Sequence, residues 1–153
     1  MIYDLFEIIH LKNKVNIDYK LNNKTFNYIR DDITIVSAYY NIKKSKHSLI
    51  EYWNWIDNFL QINRSIVFFV DKNIYKKIIF KRPKQYQNKT IWIVRDIQNF
   101  YSYKNFIKEF NQSYELDYEK KIHSIPLYLI WAEKCNFLKI AIKKNFFKSK
   151  CFY

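Results

Sequence analysis

Residues 33–48 read ITIVSAYYNIKKSKHS, and this stretch decides the fold. Ile33 to Tyr39 is a mostly apolar run, too short for a core helix and too continuous for a strand with one wet face. It fits a strand covered on both faces, as in a parallel sheet. The basic loop NIKKSK follows. Ser48, with Glu51 three residues on, is then the signature of a capping box that opens a helix. In that helix Leu49, Tyr52, Trp53, Ile56 and Leu60 fall on one face.

Moving outward, the same unit recurs. SIVFFVD, residues 65–71, reads as a second buried strand, and Asp71 is placed to cap a helix holding Ile74 and Ile78. A polar loop, KRPKQYQNK (81–89), leads to a third strand, TIWIVRD (90–96). Ser102 is read as the cap of a short helix with Tyr103, Phe106, Ile107 and Phe110. Ser124 ahead of Pro126 starts a long helix, whose expected buried face is Leu127, Ile130, Trp131, Leu138, Ala141 and Ile142. In KSKCFY (148–153) the first three residues read as a turn and the last three as the first half of a fourth strand. Strands alternating with helices predict an α/β fold, a Rossmann-like, mostly parallel sheet flanked by helices, with strand one central. Ligands of such sheets bind beyond the carboxyl ends of the strands.

Ahead of this unit, Ile2, Leu5, Phe6 and Ile9 have helical spacing, and residues 15–30 (VNIDYKLNNKTFNYIR) alternate like a hairpin. Residues 1–31 are therefore expected to be a small helix-plus-hairpin appendage, and residues 32–153 the main domain. No internal repeat or low-complexity linker interrupts the chain.

Composition sets the outer bounds. The 153 residues are 49% apolar and 20% aromatic, which argues against disorder and for one domain with a real core. A net charge of +13 invites a nucleic-acid reading. Yet Lys, Asn, Ile, Tyr and Phe are abundant throughout and Gly is absent, the pattern that AT-rich codons produce. Nucleic-acid binding is thus the weaker expectation. Without Gly no glycine-rich phosphate loop can exist, so any phosphate must meet helix N-termini, Lys, Arg or ordinary backbone. Two cysteines without CxxC spacing fit reduced thiols. No apolar stretch approaches the roughly 20 residues that span a bilayer. The N-terminus, with Asp4 and Glu7 and no early Lys or Arg, is unlike a secretory signal, so a cytoplasmic location is expected. The three histidines are scattered, with no HExxH or Cys/His metal spacing, and nothing marks Cys135 or Cys151 as a nucleophile. Trp53, Trp55, Trp92 and Trp131 sit in patterned elements and are expected in the core rather than as sugar platforms.

The segments ITIVSAYYNIKKSKHS, EYWNWIDNFL, IVFFVDK, KIHSIPLYLIWAEKCNF and FKSKCFY, in this order, resemble the HtrL/YibB family. KIHSIPLYLIWAEK is the most specific of them. Those proteins look like glycosyltransferases of the GT-A type and are associated with surface polysaccharide. The resemblance spans about residues 32–153. In the family the strand corresponding to KCFY continues into Trp-Cys-Asp-x-Gly, whose Asp resembles the metal-binding carboxylate of GT-A enzymes. The resemblance thus implies a sheet incomplete at its C-terminus: the chain holds the nucleotide-facing half and lacks the metal-binding turn. No metal ligands or cofactor are expected in this chain, although the parent family implies Mn or Mg together with a nucleotide-sugar.

The same resemblance points to Ser37, Ala38 and Tyr39, at the end of strand one, as nucleotide contacts; strand packing is the ordinary alternative for Ala38 and Tyr39. Asp71 ends strand two, where it would bind base or ribose, cap the next helix, or share both tasks. Lys46 and His47, in the loop with Lys43 and Lys44, are candidates for holding a diphosphate in front of a helix N-terminus, against the alternative of a solvated basic loop. Lys134 would reach a phosphate or snorkel to solvent. His123 and Ser124 match the family, with a helix cap the preferred role for Ser124. The expected function is a truncated glycosyltransferase-like protein that holds a nucleotide-sugar and is catalytically incomplete alone. Two alternatives stand beside it: a basic nucleic-acid-binding module, and a subunit whose sheet a partner chain completes.

Overall fold

The computed structural model describes residues 30–153. The expected helix over 2–10 and nearly all of the expected hairpin lie outside the described residues. In chain order the elements are strand β1 (Ile33–Tyr39), helix α1 (Leu49–Phe59), β2 (Ser65–Val70), helix α2 (Lys72–Ile78), β3 (Thr90–Val94), helix α3 (Tyr101–Glu115), helix α4 (Ile125–Lys144) and β4 (Cys151–Phe152). Short 3-10 turns lie between α2 and β3 and just before α3.

The four strands form one parallel sheet in the order β3-β2-β1-β4. The predicted α/β fold with β1 inside a parallel sheet is therefore observed. The registers Tyr39–Val70 and Val70–Val94 bring the carboxyl ends of three strands level. β4 pairs with β1 at Ile33–Cys151 and Thr34–Phe152. Among the described residues, Ser37–Tyr39 of β1 have a strand neighbour on the β2 side alone.

Helices cover both faces. Against one face α3 and α4 pack a cluster of Tyr40, Val67, Phe69, Ile91, Ile93, Phe100, Leu129, Phe137, Ala141 and Phe147. Against the other, α1 and α2 pack Ile56, Leu60, Ile66, Phe68, Val70, Ile74, Tyr75, Ile78 and Trp92. Strand β2 lies between them and is buried at every residue, as its unbroken apolar run requires. Each large side chain there contributes roughly 1.5–3 kcal/mol on burial, an upper estimate. β1, also interior, is only half-buried along most of its length.

Three helix starts match their sequence signals. Ser48 accepts from the Glu51 amide while Glu51 accepts from the Ser48 amide. Asp71 Oδ1 accepts from the amides of Asn73 and Ile74, at 2.8 and 2.9 Å. Ser124 caps α4. The fourth start differs from expectation. α3 begins at Tyr101, and Ser102 is inside its first turn rather than its cap. Its first amides are satisfied from another helix: Glu133 of α4 accepts from the Tyr101 and Ser102 amides and from the Ser102 hydroxyl.

That contact also explains why the buried face of α4 differs from the expected one, of which only Ala141 is fully buried. The buried residues are Leu129, Glu133, Phe137 and Ala141, spaced by four. A search for apolar residues passes over a stripe with a carboxylate in it. Trp131, Leu138 and Ile142 instead face outward, each at least one-third exposed. Because the chain has no glycine, its left-handed positions fall on other residues. Asn145 (φ 38°) ends α4, and Lys148 (φ 53°) makes the turn into β4. Asn is a natural substitute for Gly at such a cap. Its side chain also brackets the turn, accepting from the Ser149 amide and donating to the Ser149 carbonyl.

Candidate functional site

A parallel sheet directs strand carbonyls, and the loops that follow, to one edge. Here that edge collects Tyr39 at the end of β1 and Tyr40 after it, Asp71 after β2, and Arg95 and Asp96 after β3. The ends are laced together by backbone: the Arg95 amide donates to the Val70 carbonyl at 2.8 Å. The Lys72 amide lies 3.5 Å from Asp96 Oδ1.

Under this edge is a buried polar group. Arg95 and Glu133 form an ion pair at 3.3 Å, with side chains 7% and 0% exposed. Arg95 Nη2 also donates to the Asn99 carbonyl at 2.9 Å. Two buried charges are tolerated because each is matched and further hydrogen-bonded. Tyr40 lies beside them, stacked on Phe137 and edge-on to Phe100. Burial pushes its phenol well above the ordinary value; Arg95 opposes that push, while Asp71, Glu133 and Asp96 add to it. The Tyr40 hydroxyl is buried and has no hydrogen-bond partner among the described residues. Such a group is costly, by about 1–3 kcal/mol, and rare in folded proteins.

The expected nucleotide contacts fall as follows. Tyr39 and Asp71 lie on adjacent strand ends, Tyr39 in register with Val70. The Tyr39 ring packs against Tyr52 and Trp53, and its phenol is raised by burial first, then by Tyr52 and by the Asp71 carboxylate. Ser37 lies two residues earlier on the same strand face as Tyr39. Ala38 points to the opposite layer, where it packs against the α3/α4 cluster. Asp71 caps α2, and both cap bonds fall on one of its oxygens, Oδ1.

The expected phosphate contacts are more dispersed. Lys46 is exposed in the β1–α1 loop. His47 is half-buried, 3.5 Å from Glu51 and edge-on to Trp55. Lys134 is exposed on α4 next to the buried Glu133. No contact joins Lys134 to Lys46 or His47 among the described residues. Nor do these residues include any group of three or more His, Cys, Asp or Glu able to hold a metal ion. The described residues thus offer no such group to the divalent ion that the resemblance implies for the parent family.

Tyr40, Arg95 and Glu133 were not among the expected site residues. One signal pointed to the first two: YY and RD stand directly after apolar strands, at the ligand-facing edge. Glu133 could be placed only once α3 and α4 were seen to pack.

A second feature reaches over the same edge. In the β1–α1 loop, Lys44 Nζ donates to the Tyr114 hydroxyl and to the Lys120 carbonyl, both at 2.9 Å. The next residue, Ser45, donates to the Tyr52 hydroxyl at 2.9 Å. The loop is thus tied to α1 on one side and to the α3–α4 turn on the other. In that turn Asp117 accepts from Tyr128 and lies 2.9 Å from His123 Nδ1. The Tyr128 bond and the Glu119 amide hold the Asp117 carboxyl low, and the same bond pushes Tyr128 up to about 12.

Two of the four tryptophans depart from the expected core placement. Trp92 is buried and Trp53 half-buried, but Trp55 and Trp131 are 48% and 46% exposed. No helix among the described residues is long and apolar enough to cross a membrane. Comparison with known proteins gives no match to a protein family, to a curated protein or to a solved structure.

Proposed function

We propose that residues 32–153 form the nucleotide-binding half of a GT-A-like glycosyltransferase, as the resemblance to the HtrL/YibB family implies. The observation that carries this reading is the placement of Tyr39 and Asp71 at the carboxyl ends of adjacent parallel strands, where open α/β sheets take their ligands. Tyr39 offers a ring for a pyrimidine base. Asp71 keeps one carboxylate oxygen outside its two cap bonds, available to a ribose or base donor. Lys46 and His47 would face the diphosphate from the loop in front of α1, whose N-terminal amides favour negative charge. The donor would be a nucleotide-sugar. Its transfer would need the metal-binding turn that the resemblance implies for the parent family.

The test is calorimetric titration with UDP on the 153-residue chain, repeated on Asp71→Asn. Asn caps helices as well as Asp does, so the variant keeps the fold and removes only the charge. The expected result is measurable UDP binding, weakened about tenfold or more in the variant at unchanged melting temperature. Absence of UDP binding, or equal binding by the variant, would overturn the reading. Turnover of a UDP-sugar with added Mn²⁺ would show that the chain is catalytically complete.

A further inference from the structure

We propose that this chain also carries a track for single-stranded nucleic acid, with stacking platforms at Trp55 and Trp131 and the basic β1–α1 loop between them. Composition alone gives no reason to prefer this; the placement of the side chains does. Trp55 is 48% exposed and held edge-on by His47 at 4.9 Å and by Tyr52 at 5.2 Å between ring centres. Trp131 is 46% exposed and lies 5.5 Å from His123 and 6.1 Å from Tyr128. Each is a half-exposed indole held among a Tyr and a His rather than a loose surface ring.

The two platforms are joined through consecutive residues. Ser45 bonds Tyr52 of the first cluster, and Lys44 bonds Tyr114, whose ring is 6.3 Å from Tyr128 of the second. Between them run the exposed Lys43, Lys44 and Lys46, with no acidic residue from Asn41 to His47. The nearby carboxylates are engaged locally: Glu51 accepts from Ser48 and lies 3.5 Å from His47, Asp117 accepts from Tyr128 and the Glu119 amide, and Glu115 pairs with Lys120. No ion pair ties Lys43, Lys46 or Lys121 among the described residues.

Aromatic faces separated by unmatched lysines are what a single strand needs. Bases stack on the rings while phosphates run along the cations. A duplex hides its base faces and would gain only the charge term.

The experiment is fluorescence anisotropy of a labelled oligo-deoxythymidine of about 12 nucleotides on the full chain, across a salt series. Trp55→Ala and Trp131→Ala are each expected to weaken binding roughly 5- to 100-fold at fixed salt. Both rings are half-exposed, so the melting temperature should hold. Replacing Lys43, Lys46 and Lys121 by Gln should reduce the slope of log affinity against log salt by about 2. The same exchange at Lys76 and Lys77, exposed on α2, should leave the slope nearly unchanged. Equal affinity for duplex DNA or heparin, or equal loss from the α2 lysines, would overturn the proposal in favour of general polyanion or acidic-glycan binding. So would tryptophan variants that bind like the parent.

Discussion

The two ends of the sheet use buried charge differently. At the amino end, Arg82 is 1% exposed and has no carboxylate partner among the described residues. Its guanidinium instead donates to the carbonyls of Leu60, Ile62 and Arg64, and Nε donates to the Thr90 hydroxyl. It gathers the chain leaving α1 and the starts of β2 and β3 into one knot. Burial lowers its pKa to about 10, which still leaves it charged at neutral pH. Asp31 does similar work there, accepting from the Ile33 and Ser65 amides. At the carboxyl end the Arg95–Glu133 pair is also matched, but it sits under a ring of groups that are not fully used. These are the Tyr40 hydroxyl and the second oxygen of Asp71. The two ends therefore differ in what their charge holds. At the amino end it holds backbone, although the Ser65 hydroxyl there has no partner among the described residues; at the carboxyl end polar capacity remains where parallel sheets present ligands, which makes it the candidate site.

Breaking the Arg82 knot should have the largest effect. Arg82→Ala leaves three carbonyls and a threonine hydroxyl without their donor and opens a cavity, so a loss of about 4 kcal/mol or more is expected in urea unfolding. A loss below about 1 kcal/mol would mean that water replaces the guanidinium and that Arg82 does not hold the amino end. Next comes Glu133→Ala, which strands the buried Arg95 and uncaps α3. It should cost about 3–4 kcal/mol. Glu133→Gln should recover part of this, because an amide oxygen still accepts from the Tyr101 or Ser102 amide.

Tyr40→Phe sharpens the contrast, because it removes a hydroxyl that the fold does not use. Stability should stay level or rise by about 1 kcal/mol. A fall of that size would show that the hydroxyl has a partner in solution, and Tyr40 would then no longer mark the carboxyl end as the candidate site.

The smallest effect is in pH. Burial pushes the Asp31 carboxyl up, but the Ile33 and Ser65 amides and Arg64 outweigh it, so the net shift is downward. Asp117 is also depressed, chiefly by Tyr128 and the Glu119 amide. A depressed carboxyl contributes stability that is complete above its unfolded value, near pH 4, and is lost as pH falls through the folded value. Stability should therefore fall below about pH 4, and Asp31→Asn should flatten that acid limb while lowering the neutral plateau. An unchanged acid limb in Asp31→Asn would remove Asp31 from the account.

The sequence makes the sheet plain and the sites only partly so. Ile33–Tyr39, Ser65–Val70 and Thr90–Val94 are unbroken apolar runs, and buried parallel strands require that pattern. Ser48, Asp71 and Ser124 announce their helices because a cap is a local contact. What was hidden depends on contacts distant in sequence. Arg82 lies in a stretch that reads as a polar loop, and only the approach of Leu60–Arg64 makes it a core residue. Glu133 reads as a break in an apolar stripe, although it is the residue around which α3 and α4 meet. Trp55 and Trp131 read as core because they sit in patterned helices; their exposure follows from which face each helix turns inward. At the candidate site, Tyr39 and Asp71 could be paired from strand order alone, whereas Tyr40 and Arg95 needed the packing of Phe137 and Glu133 above them.

The central claim is that the carboxyl edge binds a nucleotide and the amino edge does not. Backbone amide shifts recorded during titration with UDP test it most directly, since they report both edges in one experiment. The predicted result is saturable shifts at Ser37, Tyr39, Asp71 and their neighbours, with Arg82, Thr90 and Ser149 still. Shifts centred on Arg82 and Thr90, or none at either edge at saturating UDP, would contradict it.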